Sequence, residues 1–380
     1  MIADAQTTLT ATIRTAIQAT GGRLPFDQYM DLALYAPGAG YYVNGRRKIG
    51  TTGDFTTAPE ISPLYSACLG NQSAELLKAM IDGDILEMGA GTGRMAADLL
   101  RQLQILDALP KRYLILETSP EHQATQRAWF AETIPDLLPR IEWLNQLPAP
   151  GWRGIILANE VIDAFPVHRV RYTGDEWQEG YVIWQNDQIQ TDWAPIQSPG
   201  LAQAAQQIPT AQLIPGYQTE LNLRLTPWLA AIANCMTQGA ILIIDYGYPA
   251  KEYYHPERTA GTLQCYHQHQ ANTKLYQRIG QQDITAHVNF SQLAHAALDQ
   301  GLQLAGYTTQ AQFLINTGLE AELSKTHNLA ADETMNIMAG VKQLTLPTAM
   351  GERFKVIGFQ QQLEELAWQG FSQHDQRAYL

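Results

Sequence analysis

ILEMGAGTGRMAADLL, residues 85–100 of a 380-residue chain, reads as a strand, a glycine turn and a helix in immediate succession. Ile85-Leu86 is a short apolar strand, Glu87 follows it, and the turn is Gly89-x-Gly91-x-Gly93. Met95, Leu99, Leu103 and Leu106 then recur at helical spacing. Glycines let a chain reverse sharply after a strand and let a ligand approach the backbone closely. A nicotinamide or flavin fingerprint would be G-x-G-x-x-G, with the helix amino terminus facing a pyrophosphate. Here Arg94 holds the third-glycine slot and Gly93 comes one residue early. A tight strand-to-helix turn without any ligand is the bland alternative.

Working outward, YLILE (Tyr113–Glu117) is the next strand, and the acid at its tip is placed to accept from both hydroxyls of a ribose. EHQATQRAWFAETI is a helix with Pro120 at its start. IEWL (Ile141–Leu144) and GIILANE (Gly154–Glu160) are the third and fourth strands. Continuous apolar runs such as IIL signal strands buried on both faces, and strand–helix alternation predicts a doubly wound, mostly parallel Rossmann-like α/β sheet. The rhythm breaks after His168, where alternation around Gly174-Asp175 and Asn186-Asp187 predicts hairpins. It resumes at Thr226-Pro227 with a helix carrying Trp228, Ile232 and Met236 on one face and ended by Gly239. Ala240–Gly247 is a further buried strand, and TQAQFL and RFKVIGF are expected as the closing antiparallel pair. The expected division is a helical and loop region over 1–80, a core in two parts over 81–167 and 226–380, and an insertion over 168–225.

Composition narrows the function classes. Residues are 45% hydrophobic and 16% charged, which fits a globular protein and argues against disorder. A net charge of −12 repels phosphate backbones, so nucleic acid is not the expected partner, and a cationic one suits the field better. The basic triplet Arg46-Arg47-Lys48 reads as a solvated loop. Cys68, Cys235 and Cys265 are scattered, with no CxxC pair, so no zinc framework is expected. The amino terminus lacks a basic n-region and an apolar h-region, and no run approaches the roughly 20 apolar residues that span a bilayer. A cytoplasmic protein without membrane insertion is expected.

Polar groups at strand ends are the candidates for chemistry, because ligands of open α/β sheets sit at that edge. Asn159 and Glu160 end the fourth strand and Asp163 follows three residues on, with helix capping as the bland role of Asp163. Asp54 and Glu60 belong to GDFTTAPE, where turn stabilisation is the plain alternative. Asp245 reads as a turn cap, and the lone His287 of DITAHVNF receives no catalytic role. No HExxH, CxxC or G-x-S-x-G element is present, and no metal is expected.

An acid two residues before G-x-G-x-G resembles motif I of class I methyltransferases. By that resemblance the cofactor is S-adenosyl-L-methionine, with Glu87 facing its amino-acid end and Gly89, Gly91 and Gly93 beneath its adenosine and methionine portions. Glu117 and Asn159 complete the expected cofactor set. Further, PFDQYMDLALYAPGAGYY, GDFTTAPEISPLY, LEMGAGTGRMAADLLR, ANEVIDAFPV, IDYGY, DITAHVNF and MGERFKV follow one another in order from about residue 24 to about residue 358. Together they resemble the MidA-type methyltransferase family, whose mitochondrial members assist respiratory complex I assembly and are regarded as protein arginine methyltransferases. The departure is Leu64-Tyr65-Ser66, where many relatives carry a Phe-Gly pair.

The resemblance implies a guanidinium acceptor on a protein substrate. Arginine stays protonated and offers a planar fork of donors, which a carboxylate holds bidentately. Glu160, Asp163 and Asp54 are the residues expected in that role. The insertion and the amino-terminal loops are expected to form the acceptor surface, and a homodimer is compatible with the chain's size. Two other readings stay open: transfer to a small molecule or another side chain, and a non-catalytic assembly factor that retains the fold.

Overall fold

The apolar runs pair into an eight-stranded sheet, ordered Gln303–Thr309, Phe354–Gln361, Met236–Tyr248, Trp152–Asn159, Asp84–Met88, Tyr113–Leu116 and Ile141–Leu144, with Val288–Asn289 added beside Met236–Tyr248. The computed structural model describes residues 2–46, 48, 50, 53–80, 82–328, 330–363 and 366–380. The strands from Met236–Tyr248 to Ile141–Leu144 run parallel, and Phe354–Gln361 is antiparallel to both of its neighbours. The Asp84–Met88 strand is buried throughout, as a central parallel strand must be. Register decides where function can sit. Met88 lies opposite both Leu116 and Ala158, and Ile244 opposite Asn159. Gly89, Glu117, Asn159 and Asp245 therefore emerge at the same carboxyl edge of the sheet.

This unit comprises 56–162, 228–247 and 288–380. The Arg94–Ile105 helix buries Met95, Leu99, Leu100 and Leu103, each contributing about 1.5–3 kcal/mol relative to exposure. The Pro63–Ala79 helix starts where Ser62 Oγ accepts from Leu64 N at 3.3 Å and Pro63 occupies the first turn.

A second unit comprises 1–55, 163–227 and 248–287. It holds an antiparallel sheet ordered Leu24–Pro25, Trp177–Gln185, His168–Tyr172 and Gln218–Leu221, with Gln188–Pro195 on the other side of Trp177–Gln185. Asn186 and Asp187, both at positive φ (51° and 61°), close the expected hairpin. A small sheet of Gln270–Asn272, Gln264–His267 and Asp283–Thr285 accompanies it. Leu9, Ile13, Phe26, Tyr29, Val182 and Ile284 lie in one buried cluster.

The structure departs from the sequence reading in four places. TQAQFL is not a strand: Gln310–Asn316 is helical, capped by Thr309 Oγ1 accepting from Gln312 N at 3.3 Å, and the closing strand is Gln303–Thr309 just before it. The helix at Thr226-Pro227 spans Leu225–Cys235, and strand begins at Met236 rather than Ala240. Residues 248–287 group with the amino-terminal and inserted segments, since Cys265, Ile279 and Ile284 share a buried cluster with Leu9, Phe26 and Val182, while 56–80 group with the unit that holds the eight-stranded sheet. Lys48 is only 5% exposed rather than solvated, with Nζ 3.4 Å from Tyr42 O and over the Tyr41 ring; Arg47 of the same triplet lies outside the described residues.

Candidate active site

Three left-handed glycines shape the turn after Asp84–Met88: φ is 68° at Gly89, 52° at Gly91 and 85° at Gly93. Side chains rarely tolerate that region, and here it brings bare backbone to the sheet edge. The turn is braced from the Pro120–Thr133 helix. Gln126 Nε2 donates to Gly91 O at 2.9 Å, while its Oε1 accepts from Trp143 Nε1 at 2.8 Å, which fixes which end of the amide faces the turn. A Cβ on Gly93 would lie 2.7 Å from Phe130 Cζ, so the helix packs against the missing side chain. Such a cradle fits a nucleoside ligand that needs close backbone approach.

Glu87, 1% exposed, accepts from Tyr113 Oη at 2.8 Å. Burial pushes its carboxyl up to about 7, with the Tyr113 hydroxyl opposing the rise. A raised carboxyl stabilises the fold fully below its unfolded pKa, near 4.5, and loses that contribution as pH climbs through about 7. The full swing is about 3 kcal/mol at 1.36 kcal/mol per unit. Glu87→Gln keeps an acceptor for Tyr113 and removes the charge. Urea unfolding should find the variant and wild type equally stable at pH 4.5, and the variant the more stable at pH 8. A gap that does not change with pH would show that Glu87 does not titrate in this window.

Glu117 ends the next strand. Its Oε1 accepts from Ser119 N at 2.8 Å and its Oε2 lies 3.4 Å from His122 Nδ1. Ser119 also caps the following helix by accepting from His122 N, so the carboxylate is fixed at the strand tip.

The fourth strand ends in a chain of oriented groups. Tyr65 Oη donates to Asn159 Oδ1, and Asn159 Nδ2 donates to Glu160 Oε1 at 3.2 Å. Burial, with the charges of Glu160 and Asp245, holds the Tyr65 hydroxyl well above its ordinary pKa, so it stays protonated and donates. That fixes the Asn159 amide with its N–H groups toward Glu160. Ala58 N adds a contact to Glu160 Oε1 at 3.4 Å. Glu160 itself has φ 52°, a conformation costing about 1–3 kcal/mol outside glycine and common at functional sites. Its N–H donates to Ile244 O at 2.9 Å. Asp245 serves as the expected cap, accepting from Ile162 N at 3.0 Å and Tyr246 N at 2.9 Å.

In the other unit, Asp54 is 4% exposed and fully engaged. Oδ1 accepts from Gln268 N at 2.8 Å, Oδ2 from Tyr41 Oη at 3.0 Å, and His267 Nδ1 stands 3.4 Å from Oδ1. These contacts anchor the 267–269 loop. Asp163 is 6% exposed, and its carbonyl accepts from Ala286 N at 2.9 Å.

The residue that sequence reasoning missed is Asp283. Tyr42 Oη lies 3.0 and 2.9 Å from its two oxygens, and burial together with the charge of Asp163 pushes its carboxyl up to about 8. The signal was present in DITAHVNF, but attention there falls on His287, whose N–H donates to Thr262 Oγ1 at 3.1 Å and whose ring lies 5.3 Å from that of Tyr248. Tyr35 stacks on Tyr42 at 5.5 Å and Tyr41 meets Tyr42 edge-on at 5.1 Å. Acids and aromatic rings therefore share this part of the unit. Among the described residues no group of His, Cys, Asp or Glu is placed to hold a metal ion, and no helix is long and apolar enough to cross a membrane.

Residues 68–308 match the model of the family described as "Putative S-adenosyl-L-methionine-dependent methyltransferase". A solved structure from Burkholderia thailandensis, bound to S-adenosyl-homocysteine, is 35% identical with a TM-score of 0.94, covering 100% of this chain and 98% of that one. The chain is 29% identical over 377 residues to the mitochondrial protein arginine methyltransferase NDUFAF7 homolog of Drosophila melanogaster, covering 91% of this chain and 83% of the relative. It is 26% identical over 371 residues to the mitochondrial protein arginine methyltransferase NDUFAF7 of Homo sapiens, covering 88% and 79%. These names correct the expectation of a cytoplasmic location, since both relatives are named mitochondrial. The amino-terminal pattern on which that expectation stood speaks only to secretory signals.

Proposed function

The chain belongs to this family of S-adenosyl-L-methionine-dependent methyltransferases, and we propose that its methyl acceptor is an arginine guanidinium of a protein substrate. The observation that carries the reading is the strand register, which lines up the glycine turn, Glu117 and the Asn159-Glu160 pair along a single sheet edge. Gly89, Gly91 and Gly93 would hold the cofactor against bare backbone, Glu117 its ribose hydroxyls, and Glu87 and Asn159 the floor of the site. When bound there, the cofactor supplies a methyl group already activated by a sulfonium.

What remains for the chain is alignment and proton control. Glu160 would accept two N–H groups of the guanidinium, localise its charge away from the attacking nitrogen, and take the proton that nitrogen gives up before releasing it to water. The new bond is nitrogen to methyl carbon; the bond that breaks is methyl carbon to sulfur, whose electron pair stays on S-adenosylhomocysteine. Asp163 and Asp54 are the alternative carboxylates for the guanidinium. The names of the curated relatives as protein arginine methyltransferases support this acceptor.

The test is to follow the label. The protein is incubated with methyl-labelled S-adenosylmethionine and protein extract from a host lacking it, and the protein fraction is hydrolysed in acid. Label in methylarginine is expected. Label in another amino acid or in small molecules would favour the second methyltransferase reading, and no S-adenosylhomocysteine with any extract would favour a non-catalytic assembly factor.

A further inference from the structure

Glu60, the last residue of GDFTTAPE, has no part in the reading above, yet it reaches the glycine turn. It lies in the four-residue helix Ala58–Ile61. Its Oε1 accepts from Thr92 Oγ1 at 2.5 Å, and Thr92 is the residue between Gly91 and Gly93. The same hydroxyl accepts from Arg94 N at 3.3 Å, so its proton and a lone pair are both committed. Arg94 Nε stands 3.7 Å from Glu60 Oε2. With the arginine 37% exposed, that ion pair contributes little.

The helix is tied at two other points. Ala58 N donates to Glu160 Oε1, and the Ala331–Thr345 helix closes on it at Gly340, where a Cβ would sit 2.8 Å from Ile61 O and 3.2 Å from Ser62 Cβ. A turn with three permissive glycines would by itself sample many shapes, and ligand affinity falls with the fraction in the competent one. Something must restrain it. From one side Gln126 holds the Gly91 carbonyl; from the other, Glu60 holds the Thr92 hydroxyl.

We propose that Glu60 is a positioning residue that locks the Gly91–Gly93 turn in its cofactor-binding shape through the Thr92 hydroxyl, and that the Ala58–Ile61 helix thereby fixes the turn and the Glu160 carboxylate to one strut. The inference rests on the reading of this turn as the cofactor cradle. What Glu60 contributes is an acceptor for the hydroxyl, so a glutamine suffices in its place.

Calorimetric titration with S-adenosylhomocysteine needs no methyl acceptor and reads the proposal directly. Glu60→Ala and Thr92→Val should bind about tenfold more weakly than wild type, equivalent to about 1.4 kcal/mol. Glu60→Gln and Thr92→Ser should remain within about threefold, and the Glu60→Ala/Thr92→Val double variant should be no weaker than Glu60→Ala, as expected of two halves of one contact. Melting temperatures are taken for each, and if Glu60→Ala does not fold, the Thr92→Val and Thr92→Ser pair carries the comparison. Wild-type affinity in Glu60→Ala and Thr92→Val would overturn the proposal, as would a Glu60→Gln as weak as Glu60→Ala. A folded wild type that does not bind S-adenosylhomocysteine would overturn the cradle reading itself, and the proposal with it.

Discussion

Gly93→Val should abolish S-adenosylhomocysteine binding, weakening it by at least about 100-fold. Two independent costs meet at this position. With φ at 85°, a β-branched residue is forced into the left-handed region, at about 1–3 kcal/mol. The added Cβ also lies 2.7 Å from Phe130 Cζ and 2.9 Å from its Cε1. Phe130 is fully buried and packs against the Trp143 ring at 5.9 Å, so it cannot swing aside without moving its helix. Overpacking of that kind costs about 1–3 kcal/mol more. Any shift of the Pro120–Thr133 helix also draws Gln126 away from Gly91 O, so the strain lands on the turn itself. Calorimetry with the ligand, beside circular-dichroism melting to establish that the variant folds, checks the prediction. A folded Gly93→Val that binds within about threefold of wild type would remove the turn from the cofactor site.

Glu160→Gln should separate binding from chemistry. The side chain keeps its size and an oxygen for Ala58 N and Asn159 Nδ2, so S-adenosylhomocysteine affinity should stay within about threefold. It loses the charge that grips a guanidinium and the base that takes its proton. A loss in kcat of about 10²–10⁴ is expected for removal of a positioned general base. The readout is S-adenosylhomocysteine formed with the extract fraction that accepts label. Turnover within about threefold of wild type would move the chemistry to another acid, Asp163 first.

The sheet, and the edge at which Glu117, Asn159 and Glu160 stand, were legible because their signals are local. Apolar runs such as Ile85-Leu86 and Ile155–Leu157 read as buried strands once the turn residues and helices flanking them are counted, and the three glycines mark a turn. Less legible was whatever depends on distant partners. Leu24–Pro25 becomes a strand only because Tyr181 and Val182 pair with it. The segment 303–309 is weakly apolar, and its strand character comes from the antiparallel neighbour Phe354–Gln361; the more apolar QAQFL beside it was mistaken for the strand although Thr309 is placed to cap a helix. Asp283 escaped notice because its distinction is electrostatic, arising from Asp163 and from burial, neither of which a window of sequence displays. For Glu60 and Tyr65 it was the partners that stayed hidden. Their contacts, Thr92 and Asn159, lie 32 and 94 residues away along the chain.

A structure of this chain crystallised with S-adenosylhomocysteine tests the account most directly. The account predicts the ribose hydroxyls on the Glu117 carboxylate, the methionine portion over Gly89–Gly93, and the sulfur turned toward the end of the Trp152–Asn159 strand where Glu160 stands. A ribose placed away from Glu117, or a ligand that leaves the glycine turn uncovered, would contradict it.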